Sequence, residues 1–157
     1  MNRLGVTFLH AGIWLALGLL FYVFFLRQEA PPTKVVGADR VELGRARDGH
    51  FHIDGAIQGA PIKFLIDTGA SNVSISQELA ARIGLGCDVS TRFRTANGVV
   101  QGCTSRATEL EFGPFRIGNA AIAILPNLTS EALLGMNALR QIRMEQEGDR
   151  LRLSLTE

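Results

Sequence analysis

The sequence has almost no excess of charge, little cysteine and few aromatic residues. Its 16 Lys and Arg against 15 Asp and Glu leave a net charge of +1 over 157 residues. Nucleic-acid-binding domains carry a clear basic excess, so this balance argues against a nucleic acid as a partner. Cys87 and Cys103 can form at most one disulfide. In an oxidising compartment they could pair, and elsewhere they could remain free thiols; their spacing leaves both open.

Candidates for metal binding and for thiol chemistry are also lacking. His50 and His52 are two positions apart and share one face of a predicted strand, but no Cys or carboxylate at a suitable spacing completes a metal site. We interpret both as solvent-facing strand residues. Cys103 has no histidine that could be named as its base, so it is not a candidate nucleophile. The sequence therefore predicts no metal and no organic cofactor.

One long hydrophobic run stands out. Leu4 to Leu26 is 23 residues without a charge. As a helix rising about 1.5 Å per residue, it is long enough to cross a hydrocarbon core of roughly 30 Å. The alternatives are a cleaved signal peptide, whose apolar region is usually shorter, or a buried core helix. We expect residues 1–27 to be an uncleaved transmembrane anchor that contacts membrane lipid through residues 4–26.

The charges that flank this run predict an orientation. Arg3 and the α-amino group precede it, whereas Arg27 is partly offset by Glu29. The positive-inside rule then favours a cytoplasmic N-terminus and an exported C-terminal domain. A glycan on the acceptor pattern at Asn72 would obstruct its surroundings, which favours a compartment without N-glycosylation. The predicted location is a bacterial inner membrane with the domain in the periplasm.

The rest of the chain is typical of an all-β domain. Residues 28–40 resemble a linker stiffened by Pro31-Pro32, and residues 41–157 carry short alternating runs separated by glycine turns. The tail "RLRLSL" is one such run, with Leu151, Leu153 and Leu155 on one face.

Helix signals are few and short. Ser76 is a candidate N-cap for a helix that stops at Gly84, and a second short helix is expected in "MNALRQI" after Gly135. A faint repeat relates residues 51–84 to residues 108–142, with "LLG" in the second copy near the position of "DTG" in the first.

Asp67, in "FLIDTGAS", is the residue most suited to catalysis. A carboxylate at the end of a buried strand is costly unless it is hydrogen-bonded, and the small residues after it let backbone N–H groups come close. Two such carboxylates facing each other would share one proton, so that one acts as a base on water and the other as an acid. No second Asp-Thr-Gly exists, so the second carboxylate would come from another copy of the chain. The alternative is an ordinary strand-end turn aspartate.

These residues resemble the retropepsin-like aspartic proteases. "FLIDTGAS", "RFRTANGVVQG" and "ALLGMNAL" follow in that family's order over about residues 50–157, and an anchor before one lobe resembles its membrane-bound bacterial members. The resemblance implies a single-lobe, barrel-like all-β fold that works as a homodimer. It makes Asp67 the catalytic carboxylate. The supporting residues that it implies are Thr68 (with hydroxyl bonds between subunits), Gly69, Ala70, Leu134 and Gly135.

The resemblance also implies a substrate-binding flap, formed by Ala96, Asn97, Gly98 and Val99. Asn97-Gly98 is a strong signal for a two-residue hairpin turn and would form the flap tip, whose backbone amides hold the substrate. Arg92 and Arg94 are interpreted as charges on a solvated flap strand. One departure concerns Met136, which stands where retroviral members carry an Arg, so the dimer is expected to be held less firmly.

The function expected from the sequence is an aspartic endopeptidase. A water activated between two Asp67 carboxylates of a homodimer would hydrolyse a peptide bond of a peptide or protein substrate. The alternative is a non-catalytic, membrane-tethered dimer of the same fold that binds extended peptides.

Overall fold

The structure is a computed structural model that describes residues 3–26, 34–37, 39–126, 128 and 132–156. Its contacts divide the chain into two compact units, Met1–Ala30 and Pro31–Glu157.

The first unit contains one helix, α1, over Arg3–Leu26. Its side chains are largely apolar, and those of Trp14, Leu15 and Leu20 are at least 70% exposed. In the described part of the chain, no helix meets the combined length and hydropathy needed for a membrane span. The structure therefore lends no support to the anchor predicted over residues 4–26.

The second unit is mostly β-structure with two short helices. Its strands are β1 Lys34–Gly37, β2 Arg40–Gly44, β3 His52–Ile57, β4 Ala60–Ile66, β5 Val73–Ser76, β6 Val89–Thr95, β7 Gly98–Phe112, β8 Phe115–Leu125, β9 Ala132–Leu134, β10 Ile142–Glu147 and β11 Arg150–Leu155. The helices are α2 Gln77–Arg82 and α3 Met136–Leu139. The predicted all-β domain with one or two short helices is confirmed.

The larger sheet closes on itself into a barrel. Its order is β3-β4-β9-β5-β8-β7-β6, and β3 also pairs with β7. The closing contact is at Gly55, where a Cβ atom would lie 2.0 Å from the carbonyl oxygen of Glu111. Only a residue without a side chain permits this approach, so Gly55 makes the closure of the ring possible.

The smaller sheet has four antiparallel strands in the order β1-β2-β11-β10. β1 and the first residue of β2 lie within the predicted linker over residues 28–40, of which residues 28–33 and 38 lie outside the described residues. In β11, Leu151 and Leu153 are buried as their alternation predicts, but Leu155 at the strand end is 54% exposed. Both sheets contribute to one hydrophobic core, in which Val41 and Leu153 of this sheet join Phe64 and Phe112 of the barrel.

Helix α2 begins as its sequence predicts. The Ser76 side chain accepts a hydrogen bond from the backbone N–H of Leu79 at 3.0 Å, which satisfies one of the free donors of the first turn. The helix ends before Gly84, whose φ of 69° belongs to the left-handed region that favours glycine.

Candidate active site

Asp67 directly follows β4, which fixes its position. β4 is anchored by Phe64, which is fully buried, and pairs in parallel with β9 through Ile66 and Leu134. The pairing extends one residue further, because the backbone N–H of Asp67 donates to the carbonyl oxygen of Leu134 at 3.1 Å. The two copies of the predicted repeat therefore lie side by side, with "DTG" directly after β4 and "LLG" at the end of the neighbouring strand β9.

The turn after β4 holds the Asp67 carboxylate. Its Oδ1 atom accepts a hydrogen bond from the backbone N–H of Gly69 at 2.8 Å, and the N–H of Ala70 donates to the carbonyl oxygen of Asp67 at 3.2 Å. A Cβ atom on Gly69 would lie 3.1 Å from Oδ1, so glycine lets its amide reach the carboxylate. The side chain is partly buried and is oriented by a charge-assisted bond.

A second loop closes against this turn at Gly135. Its Cβ position would lie 2.3 Å from the carbonyl oxygen of Asn72 and 2.9 Å from that of Ala70. The next two backbone amides donate across the contact, from Met136 to Ala70 at 2.8 Å and from Asn137 to Ser71 at 3.1 Å. The structure thus brings together the six residues predicted for the centre of the site. We call the two segments, residues 67–72 and 134–137, the catalytic floor.

Asn137 is a residue of the floor that the sequence did not predict. Its Oδ1 atom accepts from the backbone N–H of Val73 at 2.8 Å, and its Nδ2 atom donates to the carbonyl oxygen of Ala121 at 2.8 Å. One side chain therefore ties α3 to both β5 and β8. The sequence did contain a signal for this role. Asn is a poor residue for a helix interior, so an Asn inside the short helix predicted after an apolar segment indicates a side chain with specific hydrogen-bond partners.

Two residues of the floor face outward. Thr68 is exposed, and within the described residues of one chain its hydroxyl has no hydrogen-bond partner. Met136 is 37% exposed despite its apolar side chain. Both side chains are accessible to a second molecule.

The predicted flap is the hairpin of β6 and β7, but its tip is shifted by one residue. Thr95 pairs with Gly98, so Ala96 and Asn97 form the turn. Gly98 adopts a φ of 111°, whereas neither turn residue has a positive φ. The prediction that Asn97-Gly98 forms the tip was therefore wrong in register, since Gly98 already belongs to the ladder. Val99, the next residue, is 64% exposed.

The base of the flap is fixed covalently. Cys87 and Cys103 form a disulfide that links the segment before β6 to β7. Nearby, a Cβ atom on Gly102 would lie 2.5 Å from the carbonyl oxygen of Ile124. The question left open by the sequence is thus resolved in favour of pairing, and the hairpin is attached firmly to β8 at its base alone.

The two histidines of the predicted strand differ in their surroundings. His50 is exposed, as expected, whereas His52 is half-buried and its Nε2 atom lies 2.7 Å from Oδ2 of Asp48. The pKa of Asp48 is lowered from 3.8, first by the hydrogen bond from the backbone N–H of His50 and then by the bond to His52. Among the described residues, no group of three potential metal ligands occurs.

Comparisons with known proteins point in the same direction as this geometry. Residues 53–141 match the family described as "gag-polyprotein putative aspartyl protease". A curated relative, "Uncharacterized protein in cobV 5'region" of Sinorhizobium sp, is 35% identical over 127 residues, which are 77% of this chain and 54% of that protein. "Protein DNA-DAMAGE INDUCIBLE 1" of Arabidopsis thaliana is 31% identical over 103 residues, which are 62% of this chain and 24% of that protein. The chain spans about half or less of the length of these relatives.

A solved structure shares the fold. The crystal structure of a retropepsin-like aspartic protease from Rickettsia conorii superposes with a TM-score of 0.64 at 27% sequence identity, covering 80% of this chain and 96% of that chain.

Proposed function

Because this chain belongs to the retropepsin-like aspartic protease family, we propose that it is an aspartic endopeptidase whose active form is a homodimer. Each subunit supplies one Asp67, and the two carboxylates form the catalytic dyad. The substrate is an extended peptide segment held under the flaps of the dimer.

The placement of Asp67 is the observation that carries this proposal. The carboxylate stands at the end of a buried parallel strand pair and is oriented by the Gly69 amide, in a turn packed against Gly135. A strand-end turn aspartate of the ordinary kind needs no second glycine loop beneath it. Here the backbone of the turn is fixed from both sides. Asp67 would need such a fixed position to meet a partner carboxylate in one geometry.

The chemistry follows from bringing two such carboxylates together. Like charges at close range cannot both ionise, so the pair holds one proton, as in aspartic proteases generally. The ionised Asp67 removes a proton from water, and the water oxygen attacks the peptide carbonyl carbon. The protonated Asp67 gives its proton to the carbonyl oxygen as negative charge develops there, which leaves a tetrahedral diol. The carboxylate that took the proton from water then passes it to the amide nitrogen, the C–N bond breaks, and one hydroxyl of the diol returns its proton to the dyad as the acid product forms.

The need for a dimer rests on the sequence and on Thr68. One chain has a single Asp-Thr-Gly and so supplies half of a dyad. Thr68 lies next to Asp67, exposed and without a hydroxyl partner among the described residues of one chain. This exposed hydroxyl is available for a bond to a second subunit, which supports the proposed arrangement.

The direct test replaces Asp67 by Asn. The amide is nearly isosteric but cannot act as a base, so cleavage of a peptide library by the full-length chain should fall by a factor of about 10³ or more. Asp54→Asn is the matched control, since Asp54 lies exposed on β3 opposite Lys63, and it should leave cleavage unchanged.

The same variant tests the shared site. An excess of Asp67→Asn chain mixed with wild type should inhibit it through mixed dimers, and activity per chain should fall on dilution. Cleavage that persists in purified Asp67→Asn protein would refute the assignment. Peptide binding without any cleavage by wild type would instead indicate the non-catalytic, peptide-binding dimer.

Membrane attachment and a periplasmic domain remain predictions from the sequence. We expect the chain to stay with the membranes during carbonate extraction. We also expect a protease that reaches the periplasmic side to digest the domain. Recovery of the chain in the soluble fraction would contradict it.

A further inference from the structure

A groove of about 360 Å³ lies between the outer face of the β7–β8 ladder and the segment of α3. Arg106 and Ala121 line it from the sheet, and Arg140 and Gln141 line it from the segment that follows α3. No Asp or Glu is among its lining residues. The groove therefore combines two guanidinium groups with no carboxylate of its own.

Arg106 is fixed at this groove and keeps N–H donors that no residue of the groove uses. Its cross-strand partner is Ala121, whose small side chain leaves room beside it. The Nη1 atom of Arg106 donates to the carbonyl oxygen of Asn119 at 3.2 Å. A guanidinium has five N–H donors in one plane, so this bond fixes the group and leaves donors for a ligand.

Arg140 completes the pair from the helix side. It is exposed, and within the described residues neither Arg140 nor Arg106 forms an ion pair. Ile117, which is partly exposed, adds apolar surface to the same groove, whereas its cross-strand partner Leu110 is buried beneath it. Two guanidinium groups beside apolar side chains match a ligand that carries carboxylates on aliphatic stems.

We propose that this groove binds the carboxylates of an acidic peptide segment, such as a glutamate-rich stretch of a protein substrate or partner. The Arg106 and Arg140 guanidiniums donate paired N–H bonds to the carboxylates. The aliphatic part of a glutamate then packs on Ile117. The inference stands on the groove alone and does not require the proposed proteolytic activity.

The test measures peptide binding to the full-length chain carrying Asp67→Asn, so that the probe is not cleaved. A fluorescent peptide with four consecutive glutamates should bind, and the same peptide with glutamines should bind at least about tenfold more weakly. Adding Arg106→Gln with Arg140→Gln should raise the Kd of the acidic peptide by about 10- to 100-fold, since charge-assisted bonds are lost.

A charge-matched control separates a site from general surface charge. Arg47→Gln with Arg82→Gln removes two exposed arginines outside the groove and should change the Kd less than about twofold. Equal loss in the two double variants, or equal binding of the two peptides, overturns the proposal. Inorganic phosphate that binds the groove while the acidic peptide does not also overturns it. Should the double variant fail to fold, shifts of the Asn119 and Gln141 amide signals on titrating the parent chain with the acidic peptide decide the same question.

Discussion

The catalytic floor and the flap hairpin are held in opposite ways. In the floor, five backbone amides donate to partners within it, those of Asp67, Gly69, Ala70, Met136 and Asn137. Gly135 makes the contact between the two loops. In the flap, the tip residues Ala96 and Asn97 are exposed, and the fixed points lie at the disulfide and at Gly102. Backbone contacts are therefore concentrated where the proposed dyad would form. The hairpin that would admit a peptide is fixed at its base only.

The most damaging change in the floor should be Gly135→Ala. The added methyl would lie 2.3 Å from a backbone oxygen, so one loop must move, at a cost of about 3 kcal/mol or more in the free energy of unfolding. Urea denaturation measures this loss, and peptide cleavage should be lost with it. Gly86→Ala is the matched control, because no atom lies within 4 Å of its Cβ position. Similar unfolding midpoints for the two variants would show that the floor is not the rigid element.

Opening the disulfide should loosen the flap rather than the floor. Replacing Cys87 and Cys103 together by Ser removes a constraint on a loop of 16 residues, which is worth about 2–3 kcal/mol of stability. We expect faster amide hydrogen exchange in β6, with exchange at Asp67 and Gly69 unchanged. Faster exchange in both regions would mean that the floor depends on the flap base.

Asn137→Ala tests the floor through one side chain. It leaves the backbone N–H of Val73 and the carbonyl oxygen of Ala121 without their partner, which should cost about 2 kcal/mol. Asn97→Ala, on the exposed flap tip, should cost less than about 0.5 kcal/mol and act instead on the KM of cleavage. Thermal unfolding of both variants measures the two losses of stability. A larger loss in Asn97→Ala than in Asn137→Ala would contradict the view that the floor is the more rigid region.

The smallest effect should come from acid. The pKa of Asp48 is lowered below 3.8 in the folded chain, so its stabilising contribution is present above that pH and is lost as the pH falls through the folded pKa. Asp48→Asn should therefore lower the urea midpoint slightly at pH 6 and have a smaller effect near pH 2. The side-chain bonds of Asp48 go to His50 and His52, outside both the catalytic floor and the flap hairpin, so cleavage should change little. An equal effect at both pH values would rule out the ionised pairing with His52.

Local signals made part of this structure predictable. The Ser76 cap, the buried approach to Asp67 and the short helix after Gly135 each depend on a few neighbouring residues, and the structure confirms them. The flap tip was displaced by one residue because hairpin register depends on which residues pair across the turn, and here Thr95 pairs with Gly98.

Contacts between distant residues could not be read from the sequence. Nothing near Gly55 indicates that Glu111 approaches it, and nothing near Asn137 indicates that it binds Val73 and Ala121. The cysteine pairing was likewise undetermined, because spacing alone does not bring two thiols together. These features follow from closure of the barrel, which is a property of the whole chain.

The parallel pairing of β4 with β9 has a consequence for the newly made chain. Ile66 bonds early to Phe51, but its parallel partner is Leu134, so the proposed catalytic aspartate leaves the ribosome long before the second strand that positions it. Until residues 134–137 emerge, the Asp67 turn lacks the second loop that fixes it, and such long-range pairing is slow to form. If the proposed protease activity holds, the order of synthesis delays it until the domain is nearly complete and so protects the nascent chain and its neighbours from premature cleavage.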